Sequence, residues 1–314
     1  STNKKFAKLK NKFYCKGCLR MKTPFAVSKI KNNRELHEIC GGKRMRLLAD
    51  YHTHTTYCDG KSTPREMIES ACRMGFTDLG FSGHADFSFA EPGFGMSEEK
   101  LNAYLNEIRK LREEYADRIR IYAGIELDCL GPVQKAEYAI GSTHCVCKNG
   151  VYVSVDDTEE KLVDAIRTLW NGDWYAFVRD YFELEATIID RMDCDWIGHF
   201  DLLTKFNENN RHFDVTRDEY REPALVALRR LNEAEIPFEI NTGAISRGYR
   251  TEPYPSAFLL RELKSMGGRI MISSDSHHAD TIGFAFDQAL RLAVECGFDR
   301  ITVLRPEGFR EVEI

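Results

Sequence analysis

Two short apolar runs, far apart in the chain, end in metal-binding side chains spaced two residues apart: Asp50-Tyr51-His52-Thr53-His54 and Ile272-Ser273-Ser274-Asp275-Ser276-His277. Side chains on a strand repeat with period two, so His52 and His54 point to one side, and so do Asp275 and His277. Brought together, two such strand ends can make a multi-metal site, and the residues between them read as the scaffold that does so.

From Met45 onward, short apolar runs alternate with amphipathic helical patterns. Strands are expected over Arg46–Tyr51, Leu79–Ser82, Ile119–Ile125, Tyr138–Ser142, Trp196–Gly198, Pro237–Asn241 and Arg269–Ser273, with a last one over Arg300–Leu304. Helices are expected from Thr63 to Gly75, with Pro64 in the first turn, from Ser97 onward, and over Glu159–Trp170, Ala176–Met192, Arg217–Glu233, Ser256–Met266 and Phe284–Cys296. Alternation of this kind implies parallel βαβ units with right-handed crossovers.

The polar residues fall in one place in this scheme. His52, His54, His84, Glu126, His144, His199, Asp275 and His277 all stand at or just after the C-terminal end of an expected strand. In a parallel α/β barrel those ends form one face, where binding groups converge. One histidine at a strand end is more often a hydrogen-bonded core residue than a ligand. Recurrence at five strands, joined by carboxylates, points to a site.

Neutral imidazoles and carboxylates suit zinc, iron or manganese, and no matching cysteine set accompanies them. Candidates this numerous can serve three divalent ions. Closely spaced ions stabilise a hydroxide as nucleophile and neutralise charge on a phosphoryl oxygen, so the reaction class is metal-assisted hydrolysis, most plausibly of a small phosphate monoester. Arg211, Arg247 and Arg250 lie in connections on the same face, and guanidinium groups bind phosphate oxygens bidentately. Asp86 and Asp201, each two residues past a histidine, are candidates for the general acid or for orienting those histidines.

Charge divides the chain. Residues 1–44 carry 13 basic and 2 acidic side chains, a net of +11, which leaves −16 for residues 45–314 and −5 overall. This basic N-terminal extension contains Cys15, Cys18, His37 and Cys40, an acceptable set for one structural zinc; the alternative is a basic tail with incidental cysteines. Such an extension can touch nucleic acid, whereas a net −16 over the remainder suits a polyanion poorly. No apolar run approaches bilayer length and no secretory h-region opens the sequence, so no membrane partner and a cytoplasmic location are expected, with the ten cysteines as reduced thiols.

At these residues the chain resembles the PHP (polymerase and histidinol phosphatase) superfamily, and within it the PHP-type histidinol-phosphatases. The motifs are His52-Thr-His54 with Cys58-Asp59-Gly60, Gly83-His84-Ala-Asp86, Gly124-Ile-Glu126-Leu-Asp128, Gly141-Ser-Thr-His144, Gly198-His199-Phe-Asp201-Leu-Leu-Thr-Lys-Phe-Asn207, Glu239-Ile-Asn241, Glu252-Pro-Tyr-Pro-Ser256 and Ser274-Asp275-Ser-His277. The resemblance covers Met45 to about Leu304 and leaves residues 1–44 outside. It implies a distorted (β/α)7 barrel with a trinuclear centre. One ion would be held by His52, His54, Glu126 and Asp275, with Glu126 bridging to a second held also by His144 and His199. The third would be held by Asp59, His84 and His277; relatives place histidine where this chain has Asp59. The resemblance further implies that Arg211 and Arg247 hold the substrate phosphate. The implied reaction, in histidine biosynthesis, is hydrolysis of L-histidinol phosphate by a metal-bound hydroxide. The alternatives are a PHP phosphoesterase or exonuclease acting on another phosphate ester, nucleotide or nucleic acid included, and a binding module that has lost catalysis. Loss of a ligand would mark the last, and every ligand position here holds a competent residue.

Overall fold

The computed structural model describes residues 47–91 and 93–314. The zinc set proposed from Cys15, Cys18, His37 and Cys40 lies outside the described residues. Strands β1 (Ala49–Asp50), β2 (Asp78–Phe81) and β3 (Arg120–Ala123) form one parallel sheet in that order. Strands β4 (Ile125–Asp128), β5 (Ala139–Ser142), β8 (Trp196–Ile197), β9 (Phe238–Asn241) and β10 (Ile270–Ser273) form a second, also parallel, in the order β10-β9-β8-β5-β4. Two hairpins, β6 (Cys145–Lys148) with β7 (Val151–Ser154) and β11 (Arg300–Arg305) with β12 (Gly308–Glu313), stand apart from both.

Around the sheets run helices α1 (Pro64–Met74), α2 (Glu98–Glu114), α3 (Glu159–Leu169), α4 (Trp174–Glu185), α5 (Ile188–Arg191), α6 (Asp218–Asn232), α7 (Gly243–Ser246), α8 (Ala257–Ser265) and α9 (Phe286–Glu295). The start of α1 shows the local chemistry at work. The Thr63 side chain accepts from the Glu66 amide, the Glu66 carboxylate accepts from the Thr63 amide, Pro64 fills the first turn, and Gly75 ends the helix at φ +82°. Every residue of β2, β4, β5, β9 and β10 is buried, as expected of a parallel sheet covered by helices.

Two expectations are corrected, and one hairpin is added. The strand read over Ile119–Ile125 is two, broken at Gly124. A side chain at that position would meet the Tyr138 ring at 2.1 Å, so the glycine lets this ring pack where the strand passes from one sheet to the other. The helix read over Ala176–Met192 is interrupted after Glu185, where Thr187 Oγ1 donates to the Leu184 carbonyl at 2.7 Å. The β6–β7 hairpin was not foreseen, although its turn, Asn149-Gly150 with φ +53° and +81°, is a strong hairpin signal.

Isolated bridges link the two sheets at both margins: Thr53 pairs with Ser276, and His84 pairs with Glu126, both parallel. The first joins the stretch after β1 to the stretch after β10, so the two motifs singled out in the sequence lie side by side.

Candidate metal centre

Glu126, on β4 and 1% exposed, sits at the middle of the strand-end residues. Its Oε2 lies 3.2 Å from His52 Nε2, 3.4 Å from His54 Nε2 and 3.1 Å from His84 Nδ1. Its Oε1 lies 2.9 Å from His199 Nε2 and 3.2 Å from His144 Nε2. One carboxylate thus divides five histidines into a group of three and a group of two. Asp275 Oδ1 lies 3.2 Å from His54 Nε2 and 3.7 Å from His52 Nε2, on the first group's side. Beyond it, His277 Nε2 lies 3.0 Å from Asp59 Oδ2, and His84 Nε2 lies 3.7 Å from Asp59 Oδ1. All eight strand-end candidates, and Asp59 with them, are therefore gathered in one place.

Three sets of donor atoms converge closely enough to hold an ion: His54, Asp59, His84 and His277; His52, His54 and Glu126; and His84, Glu126 and His144, each within 4.8 Å. Glu126 Oε2 and Asp59 Oδ1 are buried without a hydrogen-bond partner. A buried carboxylate oxygen ringed by imidazole nitrogens and lacking a proton donor fits a divalent cation, and the donor set is that of zinc, manganese or iron.

The electrostatics match. Burial alone would raise Glu126, but His52, His144 and His84 hold its carboxyl well below the usual range. Asp275 is likewise held down against burial, first by Arg247 and then by His52. His54 drops to about 3 through burial and the neighbouring His277 and His84, so it is neutral, the form that ligates.

A second layer fixes these side chains. Glu239 Oε1 takes His52 Nδ1 at 2.6 Å, while Glu239 Oε2 accepts from the His199 amide at 2.9 Å and from Asn241 Nδ2 at 2.9 Å. One carboxylate thereby contacts a histidine of each group. Asp128 Oδ2 accepts from the His144 amide at 2.8 Å and lies 3.3 Å from His144 Nδ1. Asp50 accepts from the Ser274 amide and hydroxyl and from the Gly283 amide, tying the His52 stretch to the Asp275 stretch. Asp275 itself sits at φ +50°, a left-handed conformation that aspartate tolerates better than most residues. Arg247 holds it there, donating from Nη1 to its carbonyl at 3.0 Å and from Nη2 to its carboxylate at 2.9 Å. Sequence reading gave no role to Glu239 or Asp128, although each projects from a strand two residues from another polar inward position.

A cleft of about 460 Å3 opens over the centre, and Lys61, Asp156, Lys205, Arg247 and Tyr249 join Asp59, His84, Glu126, His144, His199, Asp275 and His277 in lining it. Of the three arginines proposed for phosphate, only Arg247 is among the lining residues. Arg211 pairs with Glu159 at 3.1 Å with its side chain 66% exposed, and Arg250 donates to Thr204 and pairs with Glu208 at 3.0 Å. Both proposed acids lie off the cleft as well. Asp86 Oδ1 accepts from the Ser88 amide at 2.9 Å. Asp201 is buried against the Tyr220 hydroxyl and the Ser256 amide, each at 3.2 Å, and burial raises its pKa. Among the described residues, no helix is long and apolar enough to cross a membrane.

The chain is 26% identical over 283 residues to a probable histidinol-phosphatase of Schizosaccharomyces pombe, covering 82% of this chain and 90% of the relative. A crystal structure of a putative histidinol phosphatase from Listeria monocytogenes superposes with a TM-score of 0.67 at 20% identity, covering 76% of this chain and 99% of that one. That of histidinol phosphate phosphatase from Lactococcus lactis, complexed with zinc, L-histidinol and phosphate, superposes with a TM-score of 0.60 at 22% identity, covering 83% and 98%. These likenesses establish a shared fold. The PHP domain matches residues 50–243, well over half the chain, and this protein belongs to the PHP domain family.

Proposed function

We propose that the chain is a metal-dependent phosphoric monoester hydrolase whose substrate is L-histidinol phosphate, released as L-histidinol and phosphate. The observation that carries the reading is the Glu126 carboxylate shared between His52, His54 and His84 on one oxygen and His144 and His199 on the other, at the floor of a cleft that also presents Arg247. The histidinol-phosphatase relative and the fold shared with a phosphatase complexed with zinc, L-histidinol and phosphate favour this ester over other phosphate esters.

The reading assigns His52, His54, Glu126 and Asp275 to one ion, Glu126, His144 and His199 to a second, and Asp59, His84 and His277 to a third. Bound there, divalent ions such as zinc, manganese or iron supply Lewis-acid charge to a phosphoryl oxygen and activate water. The chain's own residues do the rest. Glu239 and Asp128 keep His52 and His144 turned toward Glu126, Arg247 keeps Asp275 in place and offers positive charge at the cleft wall, and the buried floor strengthens every one of these interactions by excluding water.

The two sheets, bridged at Thr53–Ser276 and His84–Glu126, favour a single distorted barrel in which β3 and β4 act as one strand kinked at Gly124, seven strands in all. Residues 45–314 are assigned to this unit and residues 1–44 to a basic accessory segment. The deciding experiment is phosphate release by the metal-loaded chain from L-histidinol phosphate against a panel of small phosphate esters, with metal content measured. Preferred turnover of L-histidinol phosphate is expected; equal or better turnover of an unrelated ester overturns the substrate.

A further inference from the structure

The β6–β7 hairpin stands apart from both sheets, and its second strand has an open edge. The Val155 amide donates to the His144 carbonyl at 2.9 Å, and hydrogen-bonded pairs alternate along antiparallel strands, so Val146 with Val153 and Lys148 with Val151 are the bonded pairs. Tyr152 and Ser154 therefore direct their backbone N–H and C=O groups away from β6. Among the described residues those four groups have no hydrogen-bond partner. An edge of this kind is a template for another strand.

The surroundings of the edge say which strand would suit it. Residues 151–154 border a groove of about 730 Å3 whose other side includes Ala165 and Leu169 of α3. Val151 is 48% and Tyr152 43% exposed, an unusual amount of apolar surface for one turn of a hairpin. Asp157 pairs with Lys161 at 2.5 Å and Asp164 pairs with Arg167. Glu91 and Glu160, also in the lining, have no ion-pair partner among the described residues. The groove thus suits an extended segment that carries both apolar and basic side chains.

The basic N-terminal extension, with its net +11, contains such a segment: residues 24–31 read Pro-Phe-Ala-Val-Ser-Lys-Ile-Lys. Phe25, Val27 and Ile30 favour strands, Pro24 stands where a strand can begin, and Lys29 and Lys31 complement Glu91 and Glu160. The other run of three apolar residues there, Phe13-Tyr14-Cys15, runs into the Cys15 and Cys18 pair. Residues 32–46 can extend to about 50 Å, against a radius of gyration of about 18 Å for a domain of this size, so the segment can reach the groove from Leu47.

We propose that residues 24–31 add a strand to the open edge of β7 in the same chain. Phe87, Glu91, Ser154 and Asp157 line both this groove and the cleft over the metal centre, so the docked segment borders the cleft mouth. The proposal does not depend on which reaction the centre performs. Its test is amide hydrogen exchange in the full chain, read at Tyr152 and Ser154, with the Val153 and Val155 amides, bonded to β6, as the internal control for an intact hairpin. The Tyr152 and Ser154 amides are expected to exchange at least about 10-fold more slowly in the wild type than in Val27→Pro, which removes a donor and bars the segment from a ladder. Glu91→Lys combined with Glu160→Lys is expected to lose part of that protection, and added salt to weaken it in the wild type. Equal rates in the wild type and Val27→Pro overturn the proposal. So does a loss of protection in Phe13→Pro without one in Val27→Pro, which names another segment. Protection that grows with protein concentration alongside a dimeric mass gives the groove to a second copy and overturns docking within one chain.

Discussion

The floor and the wall of the cleft are built on different terms. On the floor, His52, His54, Glu126, His144, His199 and Asp275 stand on or directly after strands, are 5% exposed or less, and are oriented by further buried carboxylates such as Glu239. On the wall, Lys205 and Arg247 reach in from turns on long side chains, the first held by Asp156 and the second by Asp275 and His277. The floor fixes where the chemistry happens, whereas the wall fixes what is brought to it. Lesions in the two regions should therefore fail differently, the first through metal content and the second through substrate affinity.

The largest effect is expected at the centre of the floor. Glu126→Gln leaves the shape but removes the charge shared by five histidines, so metal content should fall and kcat/KM should drop by at least about 1,000-fold, the several kcal/mol that metal-ion catalysis supplies. Metal analysis beside phosphate-release kinetics checks it; a variant that keeps its full complement of metal breaks the division between floor and wall. Chelation of the wild type should produce the same loss, reversed by adding back zinc, manganese or iron.

Next comes the layer behind the floor. Glu239→Gln keeps the volume but weakens the hold on His52 Nδ1 and on the His199 amide, and metal affinity should fall about 10- to 100-fold. Titration with a competing chelator measures it. A change in KM with metal affinity untouched would move Glu239 from the floor to the wall.

Arg247 tests the boundary, because it belongs to both. Arg247→Met removes a cation from the cleft and also releases Asp275 from its left-handed conformation. KM for the ester should rise about 10- to 100-fold, with metal affinity falling by a smaller factor. A pure KM effect would show that Asp275 holds its conformation unaided.

The same division explains what could be read from the chain alone. The parallel alternation supplied the shared edge, so the pairs His52/His54 and Asp275/His277 were legible as strand-end residues. β1 ends at Asp50, however, β10 ends at Ser273 and Asp275 is left-handed, so it is the loops after the strands and not the strand period that bring them together. The capping chemistry at Thr63-Pro64-Arg65-Glu66 was legible for a local reason. The cations were not. Arg211, Arg247 and Arg250 occupy similar loop positions in sequence, yet one meets Asp275, one reaches Thr204 and one turns to Glu159, because a long side chain is directed by tertiary partners. Lys205 was passed over for the converse reason, since only the fold shows that it is buried beside the cleft. Asp86 and Asp201 each follow a strand-end histidine by two residues, but both lie past the strand, where local partners direct them: the Ser88 amide for Asp86, and the Tyr220 hydroxyl and Ser256 amide for Asp201.

The smallest effect concerns a carboxyl that belongs to neither region. Glu185, near the end of α4, is fully buried beside Thr143, and neither of its oxygens has a hydrogen bond of good geometry. Burial raises its pKa well above the ordinary carboxylate value, against the smaller opposing influence of Thr143 and His144. The folded protein therefore holds a proton that the unfolded chain gives up above about pH 4.3. The stability contributed by this group is complete below that value and is lost as pH rises toward the folded pKa, with a slope approaching about 1.4 kcal/mol per pH unit. Glu185→Gln keeps the shape and cannot titrate, so its unfolding free energy should lack this decline, and the variant should gain on the wild type as pH rises. Denaturant unfolding of the two proteins at matched pH and metal content measures the difference. Parallel curves would mean that Glu185 ionises in place, and that the layer behind the His144 side of the floor is charged rather than neutral.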